Sequence, residues 1–292
     1  MAEVFVVLLE IALFTLSRGA VYALVAVGFV LVFSVGGVLN LAHGTLFMLG
    51  GYFTYLFFEQ VFGGRWLPAA IALAVLSTCL VAALLHAVLL RRRLASSSYV
   101  MVMSLSVALF VEQCLRLLFG ATSTGVPPLM RGSQTLLGVR ILNVEMLLVP
   151  LSLALLAALW AFLRCTALGK SIVAVAQNRQ GAELVGIDAS AIVAGTVVFS
   201  AGLAALTGAV VAPLITLVPT IWAYWLIKAF AVAILGGLGS LPGAVLAAFI
   251  LSFAEVLTTF ALSDQFADLV ALVIIVIVLI LRPSGLFAAR SL

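Results

Sequence analysis

Apolar runs recur along this chain, near residues 20–39, 42–60, 67–90, 99–119, 145–164, 191–212, 222–238, 242–261 and 267–282, each closed by a polar, Gly or Pro break. A helix crosses the ~30 Å hydrocarbon layer with about 20 apolar residues, so the pattern predicts an all-α polytopic membrane bundle of about nine spans, within a range of roughly eight to ten. Residues 4–17 are apolar as well, but the run is short, carries Glu10 and meets Arg18-Gly19. It reads as either an interfacial helix or a further span. Backbone groups in lipid must be satisfied within their own segment, and the period-two alternation of a membrane β-barrel is missing, so the spans are expected to be helices.

Composition agrees with a chain in contact with lipid. It is 66% hydrophobic and 8% charged, with a mean hydropathy of +1.39, whereas soluble domains run near half apolar and a quarter charged. A single transmembrane domain over 1–292 is expected. The start lacks a basic segment and a small-residue cleavage site, which argues against a removable signal. The net charge of +4 comes from basic residues scattered singly between apolar runs, a pattern of membrane topology rather than of nucleic-acid binding. Cys79, Cys114 and Cys165 form no CxxC and have only His43 and His86 as other soft ligands. They read as reduced packing residues, with no metal site expected.

Basic loops orient the spans. Arg91, Arg92 and Arg93, then Arg164, Lys170 and Arg179, then Arg282 and Arg290 are expected to face the cytoplasm. Glu59, Glu145, Asp264 and Asp268 then fall outside, as do Arg65, Arg131 and Arg140. Segment 120–144, with its Gly, Ser, Thr and Pro pair, is expected to be the sizeable extracytoplasmic loop and a surface for meeting a partner.

Two Gly-rich breaks stand out. One runs from Gly36 through Asn40, His43 and Gly44, the other from Gly236-Gly237 through Gly239, Ser240, Pro242 and Gly243. Both map to the cytoplasmic side, which suggests either two parallel helix triplets flanking a central three or simply tight turns between packed helices. For His43 a structural role at the helix break is preferred over solute contact or pH sensing. Gly28, Gly36, Gly37, Gly50, Gly51, Gly202 and Gly208 are expected to permit close helix approach rather than to line a solute site.

Catalytic signatures are missing. Gly169-Lys170-Ser171 ends like a phosphate-binding loop, but the earlier glycine would fall at Arg164. Gly239 to Gly243 is not a nucleophile elbow, and HExxH does not occur. No enzymatic role and no bound cofactor are expected.

Four ordered segments carry a resemblance. They are Gly19 to Gly28 running into Asn40-Leu41-Ala42-His43-Gly44 and Gly50-Gly51-Tyr52; the basic cluster at Arg91 followed by the span through Glu112-Gln113; Gly169-Lys170-Ser171 through Gln177-Asn178-Arg179 to Gly186-Ile187-Asp188; and Lys228-Ala229-Phe230 through the Gly236–Gly243 turn to Ala254-Glu255, closing with Arg282-Pro283-Ser284-Gly285-Leu286. In this order and spacing the chain resembles permeases of bacterial branched-chain amino-acid ABC importers, the Liv type, along nearly its whole length. The resemblance implies an inner-membrane subunit that pairs with a second permease, a paralogue of the LivM kind. It also implies two cytosolic ATPase subunits that use ATP and Mg, and an extracytoplasmic solute-binding protein. Urea permeases of the same superfamily look similar, and Gln177-Asn178-Arg179 departs from the acidic pair of many Liv permeases. A self-sufficient secondary transporter or channel is the rival of another class, disfavoured because both helix breaks map to the cytoplasmic edge rather than mid-membrane.

Segment 165–190 suits coupling to the ATPases, with Gly169, Lys170, Ile172, Val175, Gln177, Asn178, Arg179, Glu183, Gly186 and Asp188 as its residues. A short helix is expected with Ile172, Val175 and Ala176 as an apolar ridge and Gly186 ending it in a left-handed turn. The ridge would sit either in an ATPase groove or on lipid headgroups.

Lys228 and Glu255 lie about equally far from Ser240 on consecutive antiparallel spans, so at ~1.5 Å per residue they reach similar depth. They either pair, or Lys228 snorkels outward while Glu255 faces a polar cavity. Glu112 and Arg116, at i and i+4, are expected to neutralise each other. Gln113 either faces the pathway or bonds another helix. Asn40, Thr45, Thr207 and Thr216 complete the polar residues available along a path.

Overall fold

The computed structural model describes residues 2–90, 97–120, 125–128, 130, 132–136, 138–282 and 284–287. Arg91, Arg92, Arg93, Arg131, Pro283 and Arg290 lie outside the described residues. Eleven α-helices and one hairpin are found among those described: α1 (Ala2–Gly36), α2 (His43–Leu56), α3 (Leu67–Leu85), α4 (Ser97–Phe119), β1 (Ser133–Leu136), β2 (Val139–Leu142), α5 (Asn143–Cys165), α6 (Ala167–Gln177), α7 (Arg179–Leu184), α8 (Ala189–Val211), α9 (Ile221–Gly236), α10 (Leu241–Ala261) and α11 (Ala267–Leu281).

Among the described residues seven helices are long and apolar enough to cross a membrane: Val4–Gly36, Leu67–Val88, Ser97–Phe119, Asn143–Cys165, Ala189–Leu214, Leu241–Ala261 and Asp264–Leu281. The other two expected spans are shorter. The 14-residue α2 continues as a five-residue π-helix ending at polar Glu59-Gln60 and Val61, and α9 has 16 residues before the Gly236-Gly237 break.

The start of the chain differs from expectation. Residues 4–17 and the run after them form one 35-residue helix, about 52 Å long and well beyond the hydrocarbon thickness. Arg18-Gly19 does not interrupt it, because a glycine costs a helix little when packing fills the space beside it. A Cβ at Gly19 would lie 2.5 Å from the Phe249 ring, so α1 and α10 meet there.

Part of segment 120–144 forms a hairpin instead of a loop. β1 and β2 pair antiparallel with Ser133 opposite Leu142 and Leu136 opposite Val139, turning at Gly138 (φ 94°). The Glu145 carboxylate accepts from Leu142 N at 3.3 Å where α5 begins.

The chain forms two compact units, each discontinuous in sequence: Met1–Val27, Pro128–Leu156 and Lys228–Leu292 make one, and Gly28–Pro127 with Ala157–Ile227 the other. In the second unit α2, α3 and α8 pack on one another. The approach of α2 to α8 depends on glycine. A Cβ at Gly50 would collide with the Ala205 carbonyl, and one at Gly208 with the Phe47 carbonyl, so the two backbones touch where lipid-embedded helices gain most from dispersion. Phe47 also stacks on Trp225, ring centroids 4.3 Å apart. In the first unit Ser252 Oγ donates to the Thr15 carbonyl at 3.0 Å, tying α10 to α1, and α11 packs along α10.

Candidate functional site: a capped elbow and a buried ion cluster

Between α5 and α8 the chain makes an elbow from three successive capped helix starts. Thr166 Oγ1 accepts from Gly169 N at 3.0 Å, Asn178 Oδ1 from Gly181 N at 2.9 Å, and Asp188 Oδ1 from Ala191 N at 3.0 Å. Short polar side chains satisfy the free N–H groups of a helix start in this way. The single short helix expected to end at Gly186 is therefore two. Asn178 takes φ −154°, ψ 100°, ending α6 and starting α7, because its amide oxygen competes for backbone N–H groups that a continuous helix would use. Gly186, at φ 87°, ends the second piece left-handed as expected.

The apolar ridge is turned the other way. Ile172 and Val175 are 6% and 3% exposed and pack inward, with α6 lying on α8. A Cβ at Gly169 would run into the Phe162 carbonyl, so the first turn of α6 also lies tight on the end of α5. The most exposed large apolar side chains of the elbow are instead Leu168, Leu184 and Val185, at 63%, 89% and 76% exposure. Lys170, Ala176, Gln177, Asn178 and Arg179 are exposed around them, and Arg179 Nε lies 3.2 Å from Glu183 Oε1 on the surface. An isolated Leu184-Val185 pair inside a polar stretch was the sequence signal for this outward patch.

The two helix breaks are built differently. At the first, Asn40 Oδ1 accepts from Ala42 N at 3.1 Å, the Leu41 N–H donates to Ser104 Oγ at 3.0 Å, and His43, fully buried, meets the Phe29 ring edge-on at 5.7 Å. At the second, Ser240 Oγ accepts from Gly243 N at 3.1 Å, Pro242 sits in the first turn of α10, and Gly237 and Gly239 take φ 94° and 98°. The closing segment folds onto this turn: Leu286 N donates to the Leu235 carbonyl at 2.9 Å. Gly44 makes room for the Trp222 carbonyl, and Gly236 and Gly243 lie against each other.

Lys228 and Glu255 pair, which decides between the two alternatives that their common distance from Ser240 left open. Glu255 is 2% exposed and Lys228 5%. Tyr22 on α1 donates its hydroxyl to Glu255 Oε2 at 2.7 Å. Lys228 Nζ also reaches Asp268 Oδ1 at 2.7 Å and lies 5.6 Å from the Tyr22 ring centre. Side chains from α1, α9, α10 and α11 thus neutralise charge that would be costly alone in lipid. Tyr22 and Asp268 as members of this cluster were not legible in the sequence.

Glu112 pairs with Arg116 at 2.6 Å as the i, i+4 spacing predicts, and the Trp222 indole N–H donates to its other oxygen at 2.6 Å. Gln113 is exposed on α4. Thr207 is bonded to the Leu203 carbonyl of its own helix at 2.7 Å, Thr216 is exposed, and the hydroxyl of buried Thr45 has no partner among the described residues. A groove of about 990 Å³ runs between α3 and α8, its wall mostly apolar with polar side chains at Cys79, His86, Asp188 and Ser190. Among the described residues no group of His, Cys, Asp or Glu is placed to hold a metal.

Seven apolar helices long enough to span a bilayer define the chain as a multi-pass membrane protein. The chain belongs to the family described as branched-chain amino acid transport system, permease component, which it matches over residues 11–279. It is 26% identical to the high-affinity branched-chain amino acid transport permease LivH of Salmonella typhimurium over 98% of this chain and 97% of that protein. It is 25% identical to LivH of Escherichia coli K12 over the same shares. With BraD of Pseudomonas aeruginosa it shares 28% identity over 93% of this chain and 92% of that protein. No solved structure matches the chain.

Proposed function

We propose that this chain is one permease subunit of an ATP-binding cassette importer that carries branched-chain amino acids across a bacterial inner membrane by alternating access. Family membership over residues 11–279 is the observation that carries this reading. In it the chain is a single permease domain whose α2 and α9 cross or enter the bilayer with the seven long helices, giving nine passes. A second permease subunit completes the pathway, two ATPase subunits consume ATP with Mg on the cytoplasmic side, and an extracytoplasmic binding protein delivers solute near the β1–β2 hairpin.

The elbow supports a coupling role. Its three caps stiffen the path from α5 to α8, Ile172 and Val175 anchor it to α8, and Leu184 and Val185 offer an apolar knob flanked by Lys170, Arg179 and Glu183. A rigid lever of that form transmits a push into α8, whereas a floppy loop would absorb it. The apolar wall of the groove beside α8 suits an aliphatic side chain.

The test is reconstitution of the complete transporter in proteoliposomes. Uptake of leucine, isoleucine or valine that needs added ATPase subunits, ATP and binding protein is the expected result. Ion-driven uptake by this chain alone would overturn the reading, and uptake of urea without amino acids would reassign the solute.

A further inference from the structure

We propose that Lys228 and Asp268 form a relay site for the carboxylate and ammonium groups of a zwitterionic amino acid. This deepens the reading above and rests on it.

The ion cluster has a closed half and an open half. Glu255 has a side chain 2% exposed and its second oxygen is held by the Tyr22 hydroxyl, so both of its oxygens are committed. Asp268 has a side chain 69% exposed while its Oδ1 touches the same Lys228 Nζ. It lies in the first turn of α11, directly after the turn at residues 262–266. A cation shared between a sealed carboxylate and an open one has a partner that can be exchanged.

An α-amino acid carries its two charges on one carbon, the arrangement needed to enter such a pair. Its carboxylate takes the place of Asp268 at Lys228, and its ammonium pairs with the released Asp268 carboxylate. One ion pair becomes two, and the Lys228–Glu255 contact is kept. Lys228 is already desolvated, so the incoming carboxylate meets a cation without stripping water from it. A neutral solute would break the Lys228–Asp268 pair and replace neither charge, so Lys228 keeps only Glu255 and no second ion pair is gained. The site therefore selects zwitterions over neutral amides such as urea. Leu272, one turn beyond Asp268 and 57% exposed, offers apolar surface to an aliphatic side chain on the same face.

The experiment uses the complete transporter in proteoliposomes and compares wild type with Asp268→Asn, an isosteric change at an exposed position. Uptake of radiolabelled L-leucine and binding-protein-stimulated ATP hydrolysis are measured together. The expected result is uptake lowered about tenfold or more by Asp268→Asn with hydrolysis retained within about twofold, since delivery persists while the relay is lost. Uptake by the variant close to wild type overturns the inference, and so does parallel loss of hydrolysis, which would mark Asp268 as structural. A wild-type transporter that carries no aliphatic amino acid refutes the functional reading itself, a distinct outcome.

Discussion

Lys228 on α9 and Glu255 on α10 meet in the protein interior, each within a helix that is otherwise almost wholly apolar. Their partners differ, so their removal should differ too. Lys228→Met leaves Glu255 with only the Tyr22 hydroxyl and is expected to lower stability by about 3–5 kcal/mol. Glu255→Gln should cost clearly less, because Asp268 still pairs with Lys228. Thermal unfolding of the purified chain measures both, and equal shifts for the two variants would contradict the asymmetry.

Contact between α2 and α8 depends on hydrogen atoms where other residues carry Cβ. Gly208→Val is expected to drive Phe47 from α8 and to abolish a monodisperse peak on size exclusion. Gly195→Ala on the same helix, where a Cβ would meet nothing within 4 Å, should behave as wild type. Normal behaviour of Gly208→Val would disprove the close approach.

Leu184 and Val185 are exposed while Ile172 is buried, and aspartate at each position should separate docking from folding. Leu184→Asp with Val185→Asp is expected to leave the chain folded and to prevent co-purification of the ATPase subunits. Ile172→Asp should instead lower the folded yield, since it buries an unpaired charge against α8. ATPase subunits that still co-purify with the double variant would move the docking surface elsewhere.

Asn178 divides α6 from α7 by capping the second helix. Asn178→Ala should cost about 1 kcal/mol locally, which hydrogen exchange reads as faster amides over 179–184. Glu183→Gln removes only an exposed ion pair with Arg179 and should change the same rates by less than about 0.5 kcal/mol equivalent. Unaltered exchange in Asn178→Ala would show that packing, not the cap, holds α7.

Much of the frame was legible from local pattern. Apolar runs marked the long helices, and counting from Ser240 brought Lys228 and Glu255 to one depth because helical rise is constant. The spacing of Glu112 and Arg116 fixed their pairing for the same reason. Facing was harder to read. Ile172 and Val175 recur at helical spacing whether the stripe meets a partner or α8, and periodicity does not say what lies opposite. Glu112 and Trp222 are separated by 110 positions, and no local rule links them.

By itself the sequence determined that this chain is a bundle of lipid-embedded helices of the Liv permease family with few ionisable residues, since hydrophobic length and backbone satisfaction depend only on residues near one another along the chain. Tertiary structure alone decided that α1 runs unbroken through Arg18-Gly19, that Leu286 closes over the Gly236–Gly243 turn, that the elbow turns Leu184 and Val185 outward, and that Tyr22 and Asp268 complete the ion cluster. These outcomes depend on which distant side chain fills a space or accepts a proton, and that is settled only when the helices pack.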